Sequence, residues 1–502
     1  MQDKKTEPGI ATRGQSPIWQ RPLLAFILIV LGGAALRFYH LGARSFYFDE
    51  AYQYFVTLNP LHLIRDDGHL PLSHYIQHFV MMLDDSEFAL RFIPALFGIG
   101  TIIVSYFLAK LLFDRKTALL SALFIAVSPV LIYYAQEARP YAQYVFLSMA
   151  STLSLLLLLK KPGTTRYITY FLVTVACLYT HIFAILVLLA QNLFMLLYWR
   201  KTAIRLKPWL MLQMFFFIAY IPAILFILHA ASGRAPLDYS LIRTIAGIFY
   251  VFIFGRVLFP VDMNILVIGM GTAIIGVALL IAIREMWRKH NETSLLFLSF
   301  AVIFIAILLA NFIVTIFNEE DPRYLLFLSP LLYILVARGC LNLTHSTLRK
   351  IVIVLVLITC GAALYPYYFE WDTLGKGDFR LAAEFVKQQL ESKSDLILCS
   401  EYQTQRLMRY YLKNKEGCQL ITDDPALKKI HLPKHRVIFV GMTDRTALDY
   451  IRNGAHSDDR WAQAPFRKSL NQHGFVQLKA ASWPGKNRLD VNVYDRTLKA
   501  GD

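Results

Sequence analysis

Apolar residues run in long stretches from Pro22 to Tyr367, and the short loops between them carry nearly all of the charge in that part of the chain. Each stretch is near the length needed to cross roughly 30 Å of hydrocarbon. With no water in a bilayer, only helices satisfy their own backbone groups, so the pattern predicts a polytopic α-helical membrane protein. Tyr167 to Trp199 fits either one long helix or two short ones broken at Thr180-His181. Leu241 to Phe259 is apolar enough for a span but carries Arg243 and Arg256. After Tyr367 the pattern shortens to strand-like runs at 395–399, 436–441, 475–479 and 489–494, with helical patterns at 379–390 and 403–412. That alternation predicts a small α/β unit.

Composition excludes an ordinary soluble enzyme: the 502 residues are 56% apolar and only 17% charged, with mean hydropathy +0.45. The loops alternate in sign. One set is basic, with Lys4, Lys5, Arg13 and Arg21, then Arg115-Lys116, Lys160-Lys161, Arg200-Lys201, Arg284 and Arg288, and Arg349-Lys350. The intervening set is rich in acids: Asp49, Glu50, Asp66, Asp67, Asp84, Asp85 and Glu87, then Glu137, Asp238, Asp262 and Glu319 to Asp321. The positive-inside rule makes the first set cytoplasmic and the second outward-facing. The net charge of +16 then has a membrane explanation, and nucleic acid is not an expected partner.

The same rule resolves the ambiguous stretches. A single helix over Tyr167 to Trp199 would put two basic loops on opposite sides, so two helices are expected there. A full span at Leu241 to Phe259 would invert every later loop, so an interfacial or re-entrant helix fits better. About eleven spans follow. The expected organisation is a cytoplasmic N-terminus at 1–21, a membrane catalytic unit at 22–367 with a large first outer loop at 40–87, and an extracytoplasmic α/β domain at 368–502. The first apolar segment is long and lacks a small-residue cleavage site, which reads as a retained anchor. Cys177, Cys340 and Cys360 lie in apolar stretches as small core residues, while Cys399 and Cys418 could pair in an oxidising compartment.

The densest chemistry lies in Ser45-Phe46-Tyr47-Phe48-Asp49-Glu50-Ala51-Tyr52. Two adjacent carboxylates at a membrane surface are costly to keep unless something uses them. Asp49 is the expected catalytic base, with Glu50 beside it. Arg139, in Gln136-Glu137-Ala138-Arg139-Pro140-Tyr141, has a planar charged fork suited to a phosphate oxygen, and Pro140 is placed to begin a helix. Its plainer reading is an interfacial arginine paired with Glu137 or lipid headgroups. Arg323-Tyr324 offers a second cation beside a phenol, although Glu319-Glu320-Asp321 before it also fits a charged helix start.

His74 and His78 stand four residues apart in Pro71-Leu72-Ser73-His74-Tyr75-Ile76-Gln77-His78. A helix would put both on one face, as a metal pair requires, but there is no HExxH glutamate, and packing or substrate hydrogen bonding, with Tyr75 between them, fits better. His181 suits an interfacial histidine or a sugar-phosphate contact equally. Arg37 and Arg91, at outer span ends, read as snorkelling anchors. The 368–502 region has no Gly-rich phosphate loop and reads as a stabilising or acceptor-guiding unit.

Taken in order, Leu41-Gly42 with Ser45 to Tyr52, Pro71 to His78, Asp85 to Arg91, Gln136 to Ala142, Tyr179-Thr180-His181 and Arg323-Tyr324-Leu325 resemble bacterial GT-C glycosyltransferases. The resemblance is to the protein mannosyltransferase and aminoarabinose transferase superfamily, particularly its RgtA/B/C/D-like branch. It covers about Arg37 to Tyr367, and Leu70-Pro71 stands where members commonly carry Pro-Pro. It implies inverting transfer of a hexosyl or pentosyl group from a polyprenyl-phosphate carrier to a lipid, glycan or protein acceptor at the outer face of the inner (plasma) membrane. It also implies that Asp49 is the acidic residue of the first outer loop and that Arg139 holds the carrier phosphate. No nucleotide cofactor is then needed. A divalent ion bridging Asp49 or Glu50 to the phosphate is compatible with this chemistry, but the sequence supplies no firm ligand set.

Two other classes share some of these features. A secondary transporter would have as many spans, yet transporters carry internal repeats and polar residues near mid-span, whereas here the polar residues gather at the outer ends. A membrane scaffold whose α/β tail binds a partner would tolerate changes at both Asp49 and Arg139.

Overall fold

A computed structural model describes residues 22–58, 70–230, 241–255, 293–313, 322–369, 378–391, 395–399, 402–413, 418–420, 436–444, 476–483 and 487–495, with single positions between 269 and 284. The acidic residues Asp66, Asp67, Asp238, Asp262 and Glu319 to Asp321 lie outside the described residues, as do Arg256 and the N-terminal basic cluster.

The helices, in chain order, are α1 (Pro22–Phe38), α2 (Phe48–Leu58), α3 (Leu72–Met81), α4 (Glu87–Leu112), α5 (Arg115–Ala126), α6 (Pro129–Ala135), α7 (Tyr141–Lys160), α8 (Thr164–Leu178), α9 (Ala184–Tyr198), α10 (Leu206–Ala230), α11 (Leu241–Phe254), α12 (Ser294–Ile313), α13 (Leu328–Leu341) and α14 (Ser346–Phe369). Among the described residues five helices are long and apolar enough to cross a membrane, or six if α5 and α6, bent by 58°, form one broken span. The bend falls at Ser128-Pro129. Proline lacks an N–H and disfavours helix at the residue before it, but suits the first turn of the next helix. The expected division of Tyr167 to Trp199 is observed, with α8 and α9 separated at Tyr179 to Phe183. The stretch from Leu241 carries the helix α11, which packs through the buried Ile248, Val251, Phe252 and Phe254.

Small residues let these helices approach closely. A Cβ added at Gly98 would sit 2.6 Å from Ala135 Cβ and 2.8 Å from Arg37 Nε, so only glycine fits where α4 passes α6. Gly98→Val is expected to lower stability by about 1 to 3 kcal/mol through overpacking, read as a lower melting temperature of the purified protein.

Arg37 is not the snorkelling anchor its position suggests. It is fully buried, donating to Gly33 O, Ala126 O and Ile125 O at 3.0, 3.0 and 3.1 Å. It thereby satisfies carbonyls at the end of α5 that have no partner within the helix. Gln136 does the same for α1, donating to Arg37 O and Tyr39 O at 2.9 and 2.8 Å.

The C-terminal segment forms α15 (Phe379–Gln389), β1 (Leu396–Cys399), α16 (Tyr402–Leu412), β2 (Cys418–Leu420), β3 (Arg436–Asp444), β4 (Val476–Trp483) and β5 (Asn487–Asp495). The strands make one mixed sheet in the order β2-β1-β3-β5-β4. β1 runs parallel to β2 and β3, with Ile397 opposite both Cys418 and Ile438, while β5 is antiparallel to β3 and β4. Cys399 is disulfide-bonded, and Cys177, Cys340 and Cys360 are buried free thiols. Asp378 caps α15, accepting from the amides of Arg380 and Leu381 at 3.1 Å each.

Two apolar cores result. One runs through the long helices. The other joins Phe46, Phe48, Ala51, Leu90 and Ala138 to Phe379, Val386, Leu407, Met408 and Ile438, so α2 and the loop before it share one interior with the C-terminal sheet.

Candidate active site

The loop from Tyr39 to Tyr47 reaches α2 under tight control. Arg91, one turn into α4 and buried, donates to Leu41 O, Arg44 O and Ser45 O at 3.1, 2.8 and 3.0 Å. It also forms a two-pronged ion pair with Glu50 at 2.7 and 2.8 Å. This is a buried structural cation, not the snorkelling anchor expected from its place at a span end. Glu50 is fully buried and accepts in addition from Ala138 N at 2.9 Å and Tyr47 N at 3.1 Å. Its carboxylate thus knits α2, α4 and the α6–α7 turn together. Adjacent helix residues project about 100° apart, and of the two carboxylates expected to share the chemistry Glu50 is turned into the interior while the other faces outward.

Asp49 is the outward one, with 34% of its side chain exposed. It stands in the first turn of α2, where the helix dipole favours an acid. Arg323, from the short turn Pro322–Leu325 ahead of α13, forms an ion pair with its Oδ2. Arg139 lies between α6 and α7 and is only 4% exposed. It donates to Asp49 O at 3.2 Å and lies 3.4 Å from Gln53 Oε1. Tyr141 stands between the two guanidiniums, its ring 5.7 Å from that of Arg139 and 5.8 Å from that of Arg323. Residues 90 and 274 positions away in the chain therefore meet at Asp49, one on its backbone carbonyl and one on its carboxylate.

The other candidates are distributed around this cluster. His181 is buried and stacked on Tyr144 at 4.6 Å, with Tyr324 and Phe183 at 5.7 and 5.6 Å. Its Nδ1 accepts from Phe183 N at 3.3 Å, which leaves the proton of the neutral ring on Nε2. His74 Nδ1 lies 2.8 Å from Gln53 Nε2, so Gln53 links Arg139 to His74. His78 Nδ1 is 2.9 Å from Thr57 O. Both histidines of the i, i+4 pair thus turn ring nitrogens toward α2, and among the described residues no three His, Cys, Asp or Glu side chains gather as metal ligands. Tyr75 is half-buried on α3. Glu137 is buried, and its carbonyl accepts from Arg139 N at 2.7 Å, which tightens the turn that carries Arg139.

A cavity of about 410 Å³ opens near the other end of α2, with Tyr54, His78, Met81, Asp84 and Asp85 among its lining. Tyr54 donates to Asp85 at 3.3 Å, and burial together with that neighbouring charge pushes its phenol up to about 12. Hydrogen bonds from the Ser86 hydroxyl and amide hold the Asp84 carboxyl below its usual range.

Sequence reasoning missed Gln53 and Tyr141 as members of the cluster. Gln53 is four residues past Asp49, so helical spacing alone would have put it on the same face. Tyr141 directly follows the Arg139-Pro140 pair.

Residues 68–226 match the model of the dolichyl-phosphate-mannose-protein mannosyltransferase family. Among solved structures the chain is similar to ArnT from Cupriavidus metallidurans, with a TM-score of 0.58 and 12% identity over 95% of this chain and 98% of that one. The same protein bound to undecaprenyl phosphate gives 0.57 and 12% over the same shares. The archaeal oligosaccharyltransferase AglB from Archaeoglobus fulgidus, in complex with an inhibitory peptide and a dolichol-phosphate, gives 0.53 and 11% over 84% of this chain and 69% of that one. No curated protein matches the chain. The chain accordingly shares the helical fold of ArnT and AglB.

Proposed function

We propose that this chain is a membrane glycosyltransferase that moves a hexosyl or pentosyl group, with inversion, from a polyprenyl-phosphate carrier to a hydroxyl of a lipid, glycan or protein acceptor. The observation that carries this reading is Asp49, a partly exposed carboxylate held between two guanidiniums, Arg323 on its side chain and Arg139 on its backbone carbonyl. In a single displacement the acceptor oxygen attacks the anomeric carbon while Asp49 takes its proton. The bond from that carbon to the phosphate oxygen breaks, and Arg139 and Arg323 stabilise the charge that collects on the departing lipid phosphate. A phosphate drawn onto Arg323 competes with Asp49 for that guanidinium and so frees the carboxylate to act as the base. The family match over 68–226 and the fold shared with ArnT, solved with undecaprenyl phosphate, support a lipid-phosphate donor.

In this reading the unit at 22–367 is catalytic, and Asp49 and the α/β domain at 368–502 face outward from the inner (plasma) membrane. The alternating charge of the loops supports that sidedness. The acceptor approaches along α2 from the cavity beside Tyr54 and His78, with His74, Tyr75 and Glu137 shaping the substrate side and His181 and Tyr324 the donor side. Comparing lipids, glycans and secreted proteins with and without the gene by mass spectrometry identifies sugar and acceptor together.

The donor site is tested at Arg139. A charge-assisted contact in a shielded site contributes roughly 1.5 to 3 kcal/mol, or about ten- to a hundredfold in affinity. Arg139→Ala should weaken polyprenyl-phosphate binding by that factor, and Arg139→Lys should restore it only in part, since an ammonium keeps the charge and loses the fork. An Ala variant that binds the carrier as tightly as wild type would move the phosphate site to Arg323 and Tyr324.

A further inference from the structure

The five consecutive carbonyls that lead the chain toward Asp49 are all held by arginines. Arg91 of α4 takes Leu41 O, Arg44 O and Ser45 O. Arg380, in the first turn of α15, takes Gly42 O and Ala43 O at 3.1 and 3.3 Å and reaches Arg44 O at 3.5 Å. The same guanidinium pairs with Glu87 at the start of α4, its Nη2 and Nε at 2.7 and 3.2 Å from Oε1. Tyr411 of α16 donates to that oxygen at 2.9 Å and accepts from Phe46 N at 2.6 Å. Burial above all, and then the Glu87 charge, pushes the Tyr411 phenol up, so it remains a donor across the physiological range.

Glu87 and Arg91 are one turn apart on the same face of α4. Through them a single span meets both clamps, Glu87 joined to the C-terminal segment and Arg91 joined to Glu50. Packing reinforces the link. Phe379 lies 5.6 Å from Phe48 in an edge contact, Tyr410 lies 4.8 Å from Tyr54, and Arg406 sits 4.7 Å over the ring of Tyr52. Phe379 N donates to Ser45 Oγ at 3.2 Å, and Tyr410 donates to Asp85 O at 2.9 Å. Residues of α15 and α16 thus touch the chain on both sides of Asp49, while none of these contacts involves Asp49 itself.

We infer that Arg380 and Tyr411 of the C-terminal segment are positioning residues for the proposed base, fixing the 41–47 loop so that α2 presents Asp49 at the angle the transfer needs. This rests on the reading of Asp49 as the base. A misplacement of about 1 Å in a reacting group costs on the order of 10²-fold in rate. The contribution therefore falls on turnover, because the donor-binding arginines are carried by other elements, the α6–α7 turn and the turn before α13.

The experiment uses the full-length protein in lipid vesicles and measures kcat and polyprenyl-phosphate affinity for Arg380→Ala, Arg380→Lys, Tyr411→Phe and Asp49→Asn. The expected result is a fall in kcat of between about tenfold and a hundredfold for Arg380→Ala, with donor Kd within about twofold of wild type. Arg380→Lys should stay close to the Ala variant, since one ammonium cannot hold Glu87 and three carbonyls together. Tyr411→Phe should lose several-fold in kcat, again at constant Kd. Should Arg380→Ala fail to fold, the Lys and Phe variants carry the test. Unchanged kcat overturns the inference, and so does a parallel loss of kcat and affinity in both milder variants, which marks a general structural role. Retained turnover in Asp49→Asn would instead bring down the reading of the base, whereas an inactive Asp49→Asn beside a fully active Arg380→Ala brings down only the clamp.

Discussion

Replacing Asp49 with asparagine is expected to lower turnover by about 10²- to 10⁴-fold, the usual contribution of a positioned general base. Asparagine keeps the size of the side chain and can still accept from Arg323, so the helix start and the fold should survive, and carrier binding should change little. The carboxamide cannot take the acceptor proton at neutral pH. The measurement is single-turnover transfer by the purified variant in vesicles, with polyprenyl-phosphate affinity determined on the same preparation. Turnover within about threefold of wild type would exclude a base role of the usual magnitude.

The second large effect belongs to the neighbouring acid and reaches the fold. Glu50→Ala leaves Arg91 as a buried charge without its carboxylate and strips Ala138 N and Tyr47 N of an acceptor. Removing one partner of such a pair costs about 3 to 5 kcal/mol, a large share of the stability of a protein. The variant should melt well below wild type in detergent and yield less folded protein. Glu50→Gln keeps the hydrogen-bonding shape without the charge and should fall between the two. A Glu50→Ala protein that melts with the wild type would mean that Arg91 finds another counter-charge. Adjacent acids thus separate by assay, Asp49 through rate at constant stability and Glu50 through stability first.

Much of this architecture was legible because its signals are local. The break at Thr180-His181 followed from loop charge, and the strands at 396–399, 436–444, 476–483 and 487–495 followed from alternation and turn residues. β2, only three residues long, has too short a pattern to be seen. The residues that meet at Asp49 were also visible one at a time, because each of Asp49, Arg139 and Arg323 is a charged group at the end of an apolar stretch. What one residue type cannot reveal is which way it faces. Arg37 and Arg91 occupy span ends like any snorkelling cation, and only the packed structure turns them inward onto carbonyls. Asp49 and Glu50 are equivalent as letters and differ by a third of a helical turn. The contacts of Arg380 and Tyr411 with the loop were out of reach for a further reason: partners more than 290 positions apart leave no periodicity in the chain.

The two-sided grip on carbonyls 41 to 45 also sets an order of events during synthesis. Arg91 is available soon after the loop itself is made, but Arg380 follows Gly42 by 338 positions. A growing chain therefore carries a half-fastened loop while the rest of the helical bundle is being inserted, because domains and their contacts form as the chain emerges. The last fastening waits until α15 and α16 have been made and have folded back onto α4. On this schedule the proposed base reaches its final setting only after α15 and α16 have been made, so a chain stalled before them would hold the arginines proposed to bind the carrier without an aligned carboxylate to misuse them.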